Sequence, residues 1–314
     1  MKSAAEVSAD SANVQVVAIM GPTASGKTSL AVALARRLGG ELVNADSRQA
    51  IAELAIGVCK PTAEQLQGVT CHGLDWSHVG QPFSVAEYVP LAGAAVESIA
   101  ARGHLPLVVG GTGLYVRSLL QGFDFGGVPP DPEGAKLPGL ADSGGQESVA
   151  SGADLASLDP ERAETIDLHN PRRVRRALEL ARQGAWPGQR SPGWRSQRLA
   201  CRVDPARLRT RIEARSERLI GEGLVAEVER LLRQGFSAAV LSHCAIGYAE
   251  VLDWLGGSCQ RDEAVERVIL RTRHYAKAQM TWLRSEPDLL WVDAGASPDE
   301  LVSQCLAEIG RAAA

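Results

Sequence analysis

Nowhere in the 314 residues do about 18 apolar residues follow one another, so no membrane-spanning helix is expected. The opening stretch MKSAAEVSADSAN has no apolar signal core, and residues 1–13 read as a frayed tail. Cysteine is sparse and unpaired: Cys59, Cys71, Cys201, Cys244, Cys259 and Cys305 contain no C-x-x-C spacing. That argues against a zinc ribbon or a redox pair and fits reduced, structural thiols of a cytosolic protein. Cys71-His72 places two metal-capable residues side by side without a second pair, so packing is the reading there. Aromatics are only 4% against 45% apolar residues in total, which calls for an aliphatic core.

What is present organises around one stretch. Val14–Met20 (VQVVAIM) is a β-branched apolar run suited to a strand buried on both faces. GPTASGKT follows at once, with Gly21, Gly26, Lys27 and Thr28 at the fixed positions of G-x-x-x-x-G-K-S/T. Leu30, Ala31, Leu34, Ala35 and Leu38 then recur at helical spacing. Strand, glycine loop and helix are the order a phosphate cradle requires. Glycines let backbone N–H groups approach phosphate oxygens, and the helix N-terminus adds its dipole. Gly21, Pro22, Thr23, Ala24, Ser25, Gly26, Lys27 and Thr28 are therefore the candidate phosphate-binding residues, with Lys27 as point charge and the Thr28 hydroxyl as a ligand for Mg²⁺. The loop alone does not say whether a nucleoside triphosphate or another diphosphate sits there.

Further along, Glu41–Ala45 reads as a second strand ending in Asp46-Ser47-Arg48-Gln49. Ligands of open α/β sheets lie beyond the carboxyl ends of strands, so Asp46 should share the crevice as general base, magnesium partner or helix cap. Ile56–Pro61 reads as loop, and Thr62–Gln65 as a short helix. Ser84 and Glu87 form a capping box for a helix to about Ala101, and Leu105–Val109 is a further strand. Gly110-Gly111-Thr112-Gly113 makes a second glycine-rich strand-to-helix junction, suited to close approach of a substrate to Thr112. Gly122–Gly152 is rich in Gly, Pro, Ser and Asp and reads as irregular. Helices are expected from Asp159-Pro160 and from Asn170-Pro171, over Pro205–Leu232 with a break near Gly221–Gly223, over Val240–Leu255 and over Arg261–Arg284. Gln197–Val203 and Leu289–Val292 read as strands, and a helix closes the chain.

Charge is uneven. The net charge is −4, yet residues 170–218 hold fourteen arginines against four acids, a local +10. Arg172, Arg173, Arg175 and Arg176 crowd a helix N-terminus, where cations oppose the dipole unless phosphates compensate. Such a cluster points to a polyanion-binding face, the plain alternative being a solvated helix surface. Arg207, Arg211, Arg215 and Arg218 fall on one helical face, and Arg273 and Lys277 on another.

Taken together, GPTASGKT, the NADSRQ run at Asn44–Gln49, IGVCKPT at Ile56–Thr62, RGHLPLVVGGTGLY at Arg102–Tyr115, NPRRVRRALE at Asn170–Glu179, RIEAR at Arg211–Arg215, AIGY at Ala245–Tyr248 and TRHYAKAQMTW at Thr272–Trp282 resemble the tRNA dimethylallyltransferase (tRNA isopentenyltransferase) family. The resemblance implies an α/β fold: a P-loop, doubly wound, mostly parallel sheet with a mainly helical insertion and a helical C-terminal part. It implies a core over residues 14–122 and 195–314, and a shortened tRNA-contacting insertion over 123–194. It implies transfer of a dimethylallyl group from dimethylallyl diphosphate, with Mg²⁺, to N6 of adenosine 37 in tRNA. Asp46 then matches the general base, and Thr112 a residue beside acceptor and leaving group. Lys27, Arg215 and Arg211 match groups on the diphosphate. Asp46, Ser47, Arg48, Gln49, Thr112, Arg172, Arg173, Val174, Arg175, Arg176, Arg273 and Lys277 match tRNA contacts. A cytoplasmic monomer without membrane association is expected. The chain departs from the family at Ala50–Ala52, Val58-Cys59, Cys71 and Ala278, and in its Gly/Ser-rich segment around Gly134–Gly152. A P-loop kinase of a small metabolite and an isopentenyltransferase of free adenine nucleotide are the alternatives.

Overall fold

The computed structural model describes residues 14–81, 83–125, 152–182, 184, 188–189 and 192–313. The expected tail over 1–13 and most of the irregular stretch expected over Gly122–Gly152 lie outside them. The elements in chain order are β1 (Gln15–Met20), α1 (Lys27–Leu38), β2 (Gly40–Asn44), α2 (Ala63–Leu66), β3 (Cys71–His72), α3 (Val85–Ala101), β4 (Leu105–Gly110) and α4 (Gly113–Gln121). Next come β5 (Phe123–Asp124), α5 (Gly152–Leu158), α6 (Pro160–Thr165), α7 (Pro171–Arg182), β6 (Gly188–Gln189), β7 (Arg195–Arg202) and α8 (Pro205–Leu219). A kink within Ile220–Leu224 leads to α9 (Val225–Arg233), α10 (Ala238–Leu241), α11 (Tyr248–Leu255), α12 (Arg261–Ser285), β8 (Leu290–Asp293) and α13 (Pro298–Ala313).

Six strands form one sheet in the order β3-β2-β4-β1-β7-β8. Every pairing in it is parallel. The strands alternate two apolar faces, as burial on both sides demands. Val17, Ile19, Leu42, Leu107 and Leu199 pack with α1 and with Leu301, Val302 and Cys305 of α13. Val16, Ala18, Met20, Val43 and Val108 pack with α3, α4 and Leu283 of α12. Helices thus cover both faces. The chain leaves β1 toward β2 on one side and later reaches β7 on the other, so the sheet's switch point lies at the carboxyl ends of β1 and β4.

A third core joins Ile51, Leu54 and Val79 to Ile220, Leu224, Val228, Leu231, Tyr248, Val251, Val265 and Val268. It packs the helical C-terminal part against the segment after β2. A fourth, of Leu155, Ala163, Val174, Ala177 and Leu178, holds α5, α6 and α7 together. Asp159 caps α6 through its Oδ1, which accepts Arg162 N–H at 2.9 Å. At α3 only half of the expected box forms: Ser84 N–H donates to Glu87 Oε2 at 2.7 Å, while Ser84 Oγ has no partner.

One expectation changes, two elements are unforeseen, and one expected break is found. The helix expected over Val240–Leu255 is two short helices, because Gly247 adopts φ 108, which a continuing helix does not allow. Helix α5 and strand β3 have no counterpart in the sequence pattern; each is too short to show a periodicity. The break expected near Gly221–Gly223 is present as a kink, with Glu222 and Gly223 (φ 140) outside helical geometry.

Candidate active site

Met20 and Gly110 are register partners, so the chains leaving β1 and β4 emerge side by side. The first turns through Gly26, whose φ of 91 places it before the α1 N-terminus in a conformation glycine adopts without penalty. The second carries Gly111 and Thr112. A Cβ on Gly111 would lie 2.2 Å from Gln279 Nε2, so its glycine serves close packing against protein rather than approach of a substrate.

These two loops floor a cleft of about 1620 Å³. Thr23, Ala24, Ser25, Gly26, Lys27 and Thr28 line it, with Asp46, Ser47, Arg48, Gln49, Thr112, Arg211 and Arg215. Gly21 and Pro22 are buried beneath. Burial, above all, lowers the Lys27 ammonium from its ordinary value; Asp46 opposes this and Arg215 adds to it. Asp46 and Arg215 therefore both sit within electrostatic reach of Lys27.

Asp46 is set by its backbone. Its N–H donates to Asn44 Oδ1 at 3.0 Å, and its carbonyl accepts from Asn44 Nδ2 at 3.0 Å. Asn44 is buried and also donates to Gly73 O at 2.9 Å. The Asp46 carboxylate accepts only the Arg48 N–H, at Oδ1 and 3.0 Å, among the described hydrogen bonds. Thr112 joins the two strand ends: its Oγ1 accepts Ser47 N–H at 3.0 Å and its N–H donates to Ala45 O at 3.2 Å. A carboxylate with a free oxygen thus stands beside a hydroxyl, facing a cationic wall.

Helix α8 supplies that wall. Arg207, Arg211, Arg215 and Arg218 all line the cleft, as their common helical face required. Arg211 Nη1 donates to Ser25 O at 3.3 Å, and Arg215 Nη1 to Thr23 Oγ1 at 3.4 Å. Both guanidinium groups therefore touch the phosphate loop itself.

Several expected RNA-binding residues stand elsewhere. Arg173, Arg175 and Arg176 ride on α7, outside the cleft lining; Arg173 is exposed, and Arg176 pairs with Glu179 at 3.0 Å. Nothing is described of the Arg172 side chain. Val174 is 1% exposed in the α5–α7 core, so its side chain packs inward rather than toward a ligand. Arg273 pairs with Glu213, which neutralises its charge, whereas Lys277 is exposed. The Gln49 amide is engaged inside the protein, donating to Val58 O at 3.2 Å and Cys59 O at 2.9 Å.

Two site residues escaped sequence reasoning. Gln279, buried on α12, accepts Thr23 N–H at 2.8 Å and donates to Gly111 O at 3.0 Å, clamping both glycine loops with one amide. Tyr275 also lines the cleft, and its hydroxyl is coupled to Gln279 and Thr112; burial raises its pKa most, and Asp46 adds to the rise. The available signal was spacing: Tyr275, Gln279 and Trp282 fall on one helical face. The thiols are all free; Cys201, Cys244, Cys259 and Cys305 are buried, and burial pushes Cys201 up to about 12. His72 turns its Nε2 to Glu41 at 2.7 Å, and no group of three metal-ligating side chains occurs among the described residues.

A glycine loop at a switch point, with a lysine and two arginines on one wall and a carboxylate and hydroxyl on the other, defines a P-loop transferase. A family model described as IPP transferase matches residues 49–286. The tRNA dimethylallyltransferase of Salinispora tropica is 41% identical over 303 residues, covering 95% of this chain and 93% of that protein. That of Corynebacterium glutamicum is 39% identical over 295 residues, covering 91% and 96%. The solved full-length tRNA isopentenylpyrophosphate transferase from Bacillus halodurans superposes with a TM-score of 0.70 at 34% identity, over 94% of this chain and 95% of that one. A eukaryotic dimethylallyltransferase acting on tRNA shares the fold, with a TM-score of 0.73 at 23% identity over 95% of this chain and 78% of that one. The chain belongs to the tRNA dimethylallyltransferase family.

Proposed function

We propose that this enzyme transfers the dimethylallyl group of dimethylallyl diphosphate to N6 of adenosine 37 in tRNA, releasing diphosphate. One observation carries the reading: two α8 arginines converge on the Lys27 phosphate loop while Asp46 and Thr112 stand on the opposite strand end of the same cleft. Departure of diphosphate builds negative charge, which Lys27, Arg211, Arg215 and the loop N–H groups stabilise where it forms. Asp46 accepts the N6 proton as the new C–N bond closes, and Thr112 orients the Asp46 segment through Ser47. To reach that carboxylate, adenine must leave the anticodon stack.

Magnesium fits the donor set. Thr28 offers a hydroxyl, a hard oxygen at the mouth of the phosphate loop, and Mg²⁺ typically takes one or two protein ligands and completes its shell from phosphates and water. When bound it would neutralise charge on the diphosphate. We assign residues 14–122 and 195–314 to the catalytic core and 123–194 to a tRNA-contacting insertion, with Arg172, Arg173, Arg175 and Arg176 facing phosphates. The enzyme acts as a cytoplasmic monomer.

Incubation with dimethylallyl diphosphate, Mg²⁺ and either tRNA bearing A36-A37, AMP or no acceptor tests the reading. Nucleoside mass spectrometry should find dimethylallyladenosine in tRNA alone. Modification of AMP instead, or phosphoryl transfer from ATP, would replace it.

A further inference from the structure

Segment 55–60 also lines the cleft, and it is held from behind by one carboxylate. Glu227, on α9, is 4% exposed and forms no ion pair among the described residues. Its Oε2 accepts the N–H groups of Ala55 at 2.9 Å and Ile56 at 2.8 Å. Its Oε1 accepts Gly57 N–H at 3.0 Å and the Tyr248 hydroxyl at 2.5 Å. A buried carboxylate is tolerated only when its lone pairs are met, and three consecutive backbone donors plus a phenol meet them. The Tyr248 ring also stands where a Cβ on Gly57 would lie, 2.4 Å away, so the segment and the helical part interlock.

The same segment reaches the phosphate loop. Cys59, at φ 50, turns its Sγ to accept Arg215 Nε–H at 2.9 Å, while Arg215 Nη1 contacts Thr23. No carboxylate pairs with Arg215 among the described residues, so Cys59 and Thr23 set its direction. We propose that Glu227 is a positioning residue: it fixes segment 55–59 and, through Cys59, holds Arg215 against the phosphate loop. Donor affinity then depends on a carboxylate that touches no substrate. This rests on the reading of Arg215 as a diphosphate contact.

Glu227→Gln and Tyr248→Phe separate positioning from stability. The first presents an amide donor to three backbone donors and loosens the segment. The second removes only the phenol contact. Steady-state kinetics, thermal melts and iodoacetamide labelling of Cys59 in a Cys71→Ser background, read by peptide mass spectrometry, are compared with and without inorganic pyrophosphate. Glu227→Gln should raise the donor KM about tenfold, leave the tRNA KM unchanged, speed Cys59 labelling and weaken its protection by pyrophosphate. Tyr248→Phe should lower the melting temperature without changing donor KM or labelling. If Glu227→Gln is too unstable to purify, Glu227→Asp, which keeps the charge on a shorter stem, should show the same pattern in smaller measure. Loss of melting temperature in the Glu227 variant with donor KM and Cys59 labelling at parental values would overturn the proposal. A parent enzyme that transfers no dimethylallyl group would instead refute the functional reading, and labelling with pyrophosphate protection would still decide the role of Glu227.

Discussion

At the residue scale, Asp46 carries the sharpest expectation. An adenine N6 amine is a weak nucleophile because its lone pair is delocalised into the ring, so its proton must be accepted as the bond forms. General-base assistance is typically worth about 10²–10⁴ in rate. The Asp46 backbone is locked by Asn44, and among the described residues the one hydrogen bond to its carboxylate comes from a backbone N–H that an amide oxygen would accept equally. Asp46→Asn should therefore fold normally and lower kcat by that factor, with donor and tRNA affinities little changed in single-turnover and binding assays. Loss of donor binding with intact chemistry at saturating donor would make Asp46 a magnesium partner instead. Glu41, at the far end of β2, gives an expectation for stability in acid. Burial alone would raise its pKa, but hydrogen bonds from His72, His104 and Arg102 outweigh that and bring it down to about 2. A depressed carboxylate stabilises the fold above its ordinary pKa of 4.5, and this is lost as pH falls toward 2. Denaturant melts should show Glu41→Gln weaker than the parent at neutral pH, with the gap closing between pH 4.5 and 2; a constant gap would show that the loss is packing alone.

At the element scale, α7 and α8 divide a single run of arginines between two roles. Helix α8 turns its arginines onto the phosphate loop, whereas α7 stands on the separate core of the α5–α7 unit. Asn170 caps α7, its Oδ1 accepting Arg173 N–H at 3.3 Å, yet the first turn contains no acid and is crowded with cations. Phosphates bound there would relieve that unfavourable arrangement. Replacing Arg172, Arg173 and Arg176 by Ala should weaken tRNA binding, measured by filter retention, while leaving donor binding near the parental value. Unchanged tRNA binding would make this a solvated face. Helix α12 bridges the two parts of the molecule. Its Val265 and Val268 pack into the helical part, its Leu283 packs onto the sheet, and Gln279 between them ties the two glycine loops.

At the scale of the whole molecule, the cleft is assembled from early and late parts of the chain, so a ligand bound in it would be coupled to folding. A ligand that binds only the folded state raises its stability. Dimethylallyl diphosphate with Mg²⁺ should therefore raise the melting temperature more than ATP with Mg²⁺ does; a larger shift with ATP would favour a kinase. The parallel α/β plan was legible in the residues alone: Val14–Met20, the glycine loop and the period of α1 are local patterns, and local sterics and hydrogen bonding enforce them. So were the break in the long helix at Gly223 and the shared face of Arg207, Arg211, Arg215 and Arg218. The order of the strands, the two unrelated loops brought side by side by the Met20–Gly110 register, the clamp of Gln279 and the nest around Glu227 were not. Those contacts join residues 168 to 172 positions apart in the cases of Gln279–Gly111 and Glu227–Ala55. A buried amide or carboxylate carries no local signature of its partners, and only the closed tertiary structure decides which donors and acceptors it meets.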